Sequence, residues 1–161
     1  MTVREFNLSV DEYADRLYRF ILKSVRDTHF AEDIVQDSFE RLWKNVSQVN
    51  NEKVKSYLFT TAYHAMIDRI RKEKRVTLLE TLPYEHETTQ TGYSDARECL
   101  NEAVNRLPEV QRSVLILRDF EGYTYEEIGE LTGLSESQVK VYIYRARVFL
   151  KNFIGKMDVL V

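Results

Sequence analysis

The sequence has little of what secreted, membrane-spanning or disulfide-stabilised proteins require. Its 161 residues include one cysteine, Cys99, which excludes an intrachain disulfide or a site of several thiolates and indicates a reducing compartment. The longest purely aliphatic run, residues 114–117, is too short to span a membrane, and the first ten residues lack the basic and apolar segments of a secretion signal. We therefore expect a cytoplasmic protein.

The sequence also lacks an excess of positive charge. Lys and Arg number 23 against 26 Asp and Glu, and the formal charge of -3 excludes a strongly basic protein that coats nucleic acid. The three histidines, at positions 29, 64 and 86, lie on separate segments, and no histidine and carboxylate cluster has metal-site spacing. We expect no metal, no other cofactor, no small-molecule substrate and no catalytic residue, which makes a nucleic-acid enzyme the least favoured function.

Helix breakers are scarce, with two prolines and five glycines in the chain. Because apolar residues recur at helical spacing, we expect an all-α protein. A capping box formed by Ser9 and Glu12 predicts the start of the first helix. A second helix is predicted at about 30–46 and a third at about 54–75. Their predicted buried residues are Ile34, Val35, Phe39, Leu42 and Trp43, and then Leu58, Phe59, Ala62, Met66 and Ile70.

A polar segment divides the chain. Residues 77–94 contain Pro83 and Gly92 and have no sustained apolar stripe, and residues 80–98 carry five acids and one base. This composition is typical of a solvated, flexible linker. We therefore predict two small helical domains, residues 1–76 and 95–161, joined by a linker at 77–94.

The most specific local pattern is a helix-turn-helix in the second domain, TYEEIGELTGLSESQVKVYIYRARVFLK, from Thr124 to Lys151. Thr124 and Glu127 form one capping box, and Ser135 and Gln138 form another. Gly133 supplies the turn between the two helices, and Gly129 allows their close approach. The coincidence of these signals favours a DNA-binding motif over an ordinary helical hairpin.

The exposed face of the second helix of this motif has a composition suited to a DNA groove. Residues 138–151 carry four bases and no acid. The predicted contacts to DNA are Ser137, Gln138, Lys140, Val141, Tyr144 and Arg145. Val141 has two interpretations: an incidental exposed valine, or a side chain that packs on a thymine methyl group.

The third helix presents a second nucleic-acid candidate. Residues 53–75 hold seven bases and two acids. The polar face of this helix consists of Tyr57, Thr60, Thr61, His64, Asp68, Arg71 and Arg75. Cations at a helix end also suit the helix dipole, which is a purely structural alternative. The mixture of aromatic rings and cations favours binding of single-stranded nucleic acid.

The second helix differs, because its polar face includes Asp33, Gln36, Asp37 and Glu40. Such a face repels DNA. It is either ordinary solvated surface or a docking surface for a basic protein partner.

Three ordered segments, AEDIVQDSFERLWKN, SYLFTTAYHAMIDRIRKEKR and LPEVQRSVLILRDFEGYTYEEIGELTGLSESQVKVYIYRAR, together resemble bacterial RNA polymerase sigma factors of the extracytoplasmic-function class. The resemblance extends from about Ser9 to Phe153. It implies a transcription initiation factor that binds core RNA polymerase and promoter DNA, and it implies an anti-sigma partner. A helix-turn-helix regulator that acts without polymerase docking is the alternative function, and it would not need the acidic second helix.

The resemblance also implies roles for residues. The first segment would dock on the clamp helices of the largest polymerase subunit. The residues that would bind this partner, or support the binding surface, are Asp33, Gln36, Asp37, Phe39 and Trp43. The second would lie near the unpaired non-template strand of the downstream (-10) element, with Asn50, Asn51, Tyr57, His64, Asp68 and Arg71, and Arg75 on the same polar face. The third would contact the upstream (-35) element. The sequence departs from the family pattern at Tyr63 and His64, where arginine and asparagine are usual, and at Val141 and Tyr142, where serine and arginine are common.

Overall fold

The computed structural model describes residues 1–80 and 96–159, with side chains for 1–76 and 96–156, and its regular elements are all helical. This confirms the all-α class. The described α-helices are α1 (Val3–Val25), α2 (Thr28–Lys44), α3 (Val54–Glu80), α4 (Ala96–Asn105), α5 (Glu109–Asp119), α6 (Tyr125–Thr132) and α7 (Glu136–Val159). A short 3-10 helix, Asn51–Lys53, precedes α3.

The predicted start of α1 at Ser9 is wrong. The capping box is formed instead by Thr2 and Glu5, seven residues before the predicted pair of Ser9 and Glu12. Ser9 is buried inside the helix, where its hydroxyl donates to the carbonyl oxygen of Phe6 at 2.6 Å. The same sequence signature therefore occurs twice, and the earlier copy caps the helix because Val3 and Phe6 continue its apolar pattern.

Helix α3 extends five residues beyond its predicted end at Arg75. No glycine or proline occurs between Arg75 and Pro83, so nothing in the sequence stops the helix there. The first four residues of the predicted linker, 77–80, are therefore helical. Residues 81–94 of that prediction, and the predicted start of the second domain at Asp95, lie outside the described residues.

Helices α1, α2 and α3 pack together around buried aromatic and aliphatic side chains. Phe20 of α1 packs on Phe59 of α3 with their ring centroids 5.5 Å apart. Leu58, Phe59, Ala62 and Met66 are buried as predicted, while Ile70 is only half-buried. Full burial of one such side chain stabilises the fold by about 1.5–3 kcal/mol, so this layer holds the three helices in fixed register.

Helices α4 to α7 form the other half of the fold. Helix α7 packs on α4, α5 and α6, and α5 contributes four consecutive buried aliphatic residues, 114–117. The two halves also touch, because α1 packs on α5 and α3 packs on α6. Their buried residues form one continuous core. The predicted division into domains 1–76 and 95–161 stays a prediction.

Candidate nucleic-acid and protein interfaces

The helix-turn-helix has the geometry that its sequence predicts. Thr124 and Glu127 form the capping box of α6, and Gly133 ends that helix with φ of 81°, a left-handed conformation that favours glycine. A Cβ on Gly129 would lie 2.9 Å from the carbonyl oxygen of Leu134, so only glycine allows this approach. At the start of α7, the backbone N–H of Gln138 donates to Ser135 Oγ at 3.1 Å. These local constraints set the angle between α6 and α7.

One face of α7 is buried and the opposite face is free. Val139, Ile143 and Ala146 are buried against the rest of the C-terminal half. The predicted DNA contacts Ser137, Gln138, Lys140, Val141, Tyr144 and Arg145 are all exposed. Tyr144 is 70% exposed, the largest value among the exposed large apolar side chains. The structure therefore places this whole predicted set on one accessible surface.

Several polar groups near this surface already have partners. The Lys140 ammonium lies 3.3 Å from Glu136, and Arg147 lies 2.7 Å from Asp119, which raises the pKa of the Arg147 guanidinium. The Gln138 side-chain oxygen accepts from the backbone N–H of Ser135 at 3.0 Å. Arg147 therefore has a structural contact on the edge of the motif, and Gln138 is partly committed to the helix cap.

The predicted docking face of α2 is exposed and acidic. Asp33, Gln36 and Asp37 face solvent. Asp33 pairs with Arg69 of α3 at 3.3 Å, an exposed contact that contributes at most about 1 kcal/mol. The prediction that Trp43 is buried is wrong, because its side chain is 48% exposed.

Trp43 belongs to an aromatic groove. Its ring centroid lies 5.0 Å from that of Phe6 on α1, and Phe6 lies 6.3 Å from Phe39. The groove has a volume of about 350 Å³ and is lined by Phe6, Gln36, Phe39, Glu40, Trp43 and Lys44. Phe6 was missed from the sequence because the predicted helix began after it. An apolar groove rimmed by Gln36, Glu40 and Lys44 suits a protein partner better than a nucleic acid.

Of the residues predicted to bind the downstream (-10) element, some are simply exposed and others are hydrogen-bonded within the protein. Asn51, Asp68, Arg71 and Arg75 are exposed. Asn50 is exposed too, and its side chain caps the 3-10 helix by accepting from Glu52 at 3.3 Å. Tyr57 is half-buried, and its hydroxyl accepts from Asn45 Nδ2 at 3.2 Å. These contacts orient the loop before α3.

Two of the four positions that depart from the family pattern lie on α3. Tyr63 is buried, which raises the pKa of its hydroxyl, and Arg71 nearby opposes that shift. His64 is exposed, and its Nε2 lies 2.9 Å from the carbonyl oxygen of Leu131 on α6, a contact between the halves. The polar face of α3 is therefore in contact with the helix-turn-helix at His64.

The turn between α5 and α6, residues 120–124, joins the halves on another side of α3, where it packs on Lys55 and Phe59 and also on α1. Glu121 is only 9% exposed at its side chain and lies 2.7 Å from Arg16 of α1 and 4.0 Å from Lys55 of α3. The Lys55 ammonium also donates to the Glu121 carbonyl oxygen at 3.2 Å. Desolvation lowers the pKa of Lys55, reinforced by Arg16, while Glu121 opposes the shift.

Rings in the same turn add contacts. Tyr123 packs on Phe59 of α3 with ring centroids 5.9 Å apart, and Lys23 of α1 lies 3.6 Å from the centroid of the Phe120 ring. Burial raises the pKa of the Tyr123 hydroxyl strongly. Acidic, aromatic and backbone groups of one short turn thus hold both α1 and α3.

Arg112 of α5 joins the halves at another point. It donates to the carbonyl oxygens of Val104, Asn105 and Leu107 at 2.6–3.0 Å, and to that of Ser24 near the end of α1. Two helix C-termini, with their partial negative charge, converge on this guanidinium. Burial lowers the pKa of Arg112. No sequence signal reveals this role, because its partners are backbone atoms, and the one that joins it to α1, the carbonyl oxygen of Ser24, is 88 residues away.

Within residues 1–80 and 96–159 there is no group of three or more His, Cys, Asp or Glu side chains that could hold a metal ion. In the same residues, no helix has both the length and the apolar character that crossing a bilayer requires.

The sequence matches two family profiles, Sigma-70 region 2 over residues 10–76 and Sigma-70, region 4 over residues 97–150. It is 31% identical over 153 residues to the ECF RNA polymerase sigma factor SigM of Bacillus subtilis, covering 89% of this chain and 94% of SigM. It is also 31% identical over 152 residues to the RNA polymerase sigma factor SigV of that organism, covering 92% and 90%.

The fold is similar to that of the sigma factor RpoE from Bartonella quintana, solved in complex with the anti-sigma factor NepR. The TM-score is 0.77 at 24% sequence identity, with 95% of this chain and 98% of that chain covered. This likeness shows a shared fold.

Proposed function

Because the chain belongs to the extracytoplasmic-function family of bacterial RNA polymerase sigma factors, which direct core polymerase to promoters, we propose that its three exposed surfaces divide this task. Helix α7 binds the upstream (-35) element, α3 with its preceding loop binds the downstream (-10) element, and α2 binds polymerase. The observation that carries the proposal is the capped helix-turn-helix with a free, cation-flanked face on α7.

The upstream surface comprises Ser137, Gln138, Lys140, Val141, Tyr144 and Arg145. Lys140 and Arg145 lie on opposite edges of the exposed face, at about 100° per residue around the helix, and neutralise phosphates on both sides of a groove. The free position of this face means that it binds a major groove without rearrangement of the chain.

The polymerase surface combines the acidic residues Asp33, Gln36 and Asp37 with the aromatic groove that contains Phe39 and Trp43. We propose the clamp helices of the largest polymerase subunit as its partner. Exposed carboxylates accelerate encounter with a basic surface, and the groove accepts an apolar anchor from that surface. Phe6 joins this set because it forms one wall of the groove.

The downstream surface comprises Asn50, Asn51, Tyr57, His64, Asp68, Arg71 and Arg75. His64 is exposed, but its Nε2 is hydrogen-bonded to the carbonyl oxygen of Leu131 on α6 and is not free to bind a base. We propose that α3 and α6 separate when this surface binds the unpaired strand, which frees this nitrogen. Arg71 and Arg75 are exposed already and contact phosphates first.

The same family membership supports three further proposals, on the location of the chain, its inhibitor and its lack of catalytic activity. We propose that the chain works in the cytoplasm, that an anti-sigma protein inhibits it, and that it performs no catalysis, since phosphodiester synthesis belongs to the polymerase. The structural relative RpoE was solved with the anti-sigma factor NepR, which supports this class of partner.

Transcription in vitro with core polymerase and a genomic promoter library tests the proposal. We expect initiation at defined sites only when the chain is present. Charge reversal at Asp33 and Asp37 should abolish co-elution with core polymerase and preserve the fold. The matched control is reversal at Asp11 and Asp15, exposed acids of α1 that change the net charge equally. Site-specific DNA binding by the free chain, with no effect of polymerase, would support a stand-alone regulator and contradict the proposal.

A further inference from the structure

The centre of the exposed α7 face is apolar. Taking about 100° per residue, Ser137, Val141, Tyr144 and Val148 lie within about 60° of one another. Val141 is 43% exposed, Tyr144 70% and Val148 39%. Single exposed apolar residues are ordinary, but three along one stripe of a surface helix indicate a binding surface.

Hydrogen-bonding groups near this stripe have limited freedom. A bidentate contact from Gln138 to adenine needs both its side-chain oxygen and its amide nitrogen, but the oxygen accepts from Ser135 in the helix cap. Lys140 lies beside Glu136, and Arg147 pairs with Asp119. Val141 and Tyr144 are exposed apolar side chains of this face for which no polar partner competes.

The chemistry of this surface selects one feature of DNA. Among the four bases, thymine presents a methyl group in the major groove, and apolar side chains pack on this methyl group. Val141 and Tyr144 are separated by about 4.5 Å along the helix axis. One base-pair step advances about 3.4 Å, so the two side chains fall near neighbouring base pairs. Cations on both edges, Lys140 and Arg145, match the phosphates on either side of the groove.

We propose that Val141 and Tyr144 are specificity determinants that select thymine at neighbouring positions of the upstream element through its methyl group. This rests on the proposed function of α7, and it names how that surface discriminates bases. Val148 shares the stripe but lies about 10.5 Å further along the axis than Val141, beyond the N-terminal part of a recognition helix that contacts bases.

The test replaces single thymines of the upstream element with deoxyuridine, which keeps every hydrogen-bonding group and removes only the methyl. The promoter is first selected from the library with the holoenzyme, and affinity is then measured on each duplex template. We expect one or two thymines at which deoxyuridine weakens binding about fourfold, the effect of losing one buried methyl-sized group. In the Val141→Ala protein, templates with thymine and deoxyuridine at one of these positions should bind with about equal affinity. In the Tyr144→Ala protein, the same should hold at a neighbouring thymine.

Val148→Ala is the matched control, since it removes the same side chain at similar exposure on the same face. It should keep the full deoxyuridine penalty. Both valines are exposed and alanine favours helices, so these variants should fold. Equal affinity for thymine and deoxyuridine templates at every position would overturn the inference while leaving the proposed function intact. So would a penalty that survives in Val141→Ala and Tyr144→Ala. If the holoenzyme selects no promoter at all, it is the proposed function that fails.

Discussion

The two surfaces assigned to DNA differ in accessibility. The α7 face is free, with its predicted contacts exposed, whereas the polar face of α3 is tied to α6 by the hydrogen bond between His64 and Leu131, and its Tyr57 is half-buried. A free surface binds its ligand at once, but a covered one loses the free energy of the covering contacts first. This difference suits a protein that recognises a duplex element and later captures a separated strand.

The largest effect is expected at Arg112, which donates to three carbonyl oxygens of the C-terminal half and joins the halves through a fourth, that of Ser24. Arg112→Met should lower the free energy of unfolding by about 3 kcal/mol, because buried acceptors lose their donor. Chemical denaturation measures this loss. Arg147→Met is the control, since Arg147 has an exposed carboxylate partner and should cost less than about 1 kcal/mol. Equal losses would show that Arg112 does not anchor the halves.

The contact of the turn between α5 and α6 with α1 and α3 is tested at Glu121. Glu121→Gln should destabilise the chain by about 2 kcal/mol, because Arg16 and Lys55 lose a nearly buried carboxylate. Hydrogen exchange of α3 amides should accelerate. Glu109→Gln removes an exposed ion pair with Lys74 that joins the same two halves, and should cost less than about 1 kcal/mol. If exchange in α3 is unchanged by Glu121→Gln, the turn does not hold α3 against the C-terminal half.

Single substitutions on the two DNA-binding surfaces should have opposite balances of effect on folding stability and on DNA binding. His64→Ala removes the hydrogen bond to Leu131 and should lower the free energy of unfolding by about 1 kcal/mol. Tyr144→Ala should change it by less than about 0.5 kcal/mol, because its side chain is 70% exposed, and yet should weaken upstream binding. Thermal unfolding and holoenzyme affinity measure the two quantities. A large stability loss in Tyr144→Ala would mean that its face is not free.

The smallest expected effect is on the pH dependence of folding stability, through the cap of α6, the helix before the recognition helix α7. Hydrogen bonds from the backbone and hydroxyl of Thr124 hold the pKa of Glu127 below its usual value. The folded pKa is lowered, so this stabilisation is present above the ordinary carboxyl pKa and is lost as pH falls through the folded pKa. Glu127→Gln should flatten this dependence in acid unfolding curves. The α7 cap is the internal control, since its Gln138 has no charge to lose.

Local features of the fold were predictable from sequence, and contacts across the chain were not. The caps at Thr124 and Ser135 and the left-handed turn at Gly133 depend on neighbours within a few residues. The same signature misplaced the start of α1 at Ser9, because the competing pair of Thr2 and Glu5 comes earlier. A capping box therefore predicts a helix start only when no earlier pair continues the apolar pattern.

The candidate site shows the same division. The exposed face of α7 follows from helical periodicity, so its six residues could be named before the fold was known. The contacts of α3 with the C-terminal half could not be, because His64 is 67 residues from Leu131 and Lys55 is 66 residues from Glu121. Periodicity shows which residues share a face of one helix, but not which distant segment packs on that face.

A reducible cross-link across the two halves tests the central claim most directly. Cysteines at Lys74 and Glu109, whose side chains lie 3.0 Å apart, would be joined by a cleavable bismaleimide in a Cys99→Ser background. We predict that the cross-linked chain does not support promoter opening by core polymerase, and that cleavage of the linker restores it, while either single cysteine variant works throughout. Promoter opening by the cross-linked chain at the rate of the cleaved one would contradict the account.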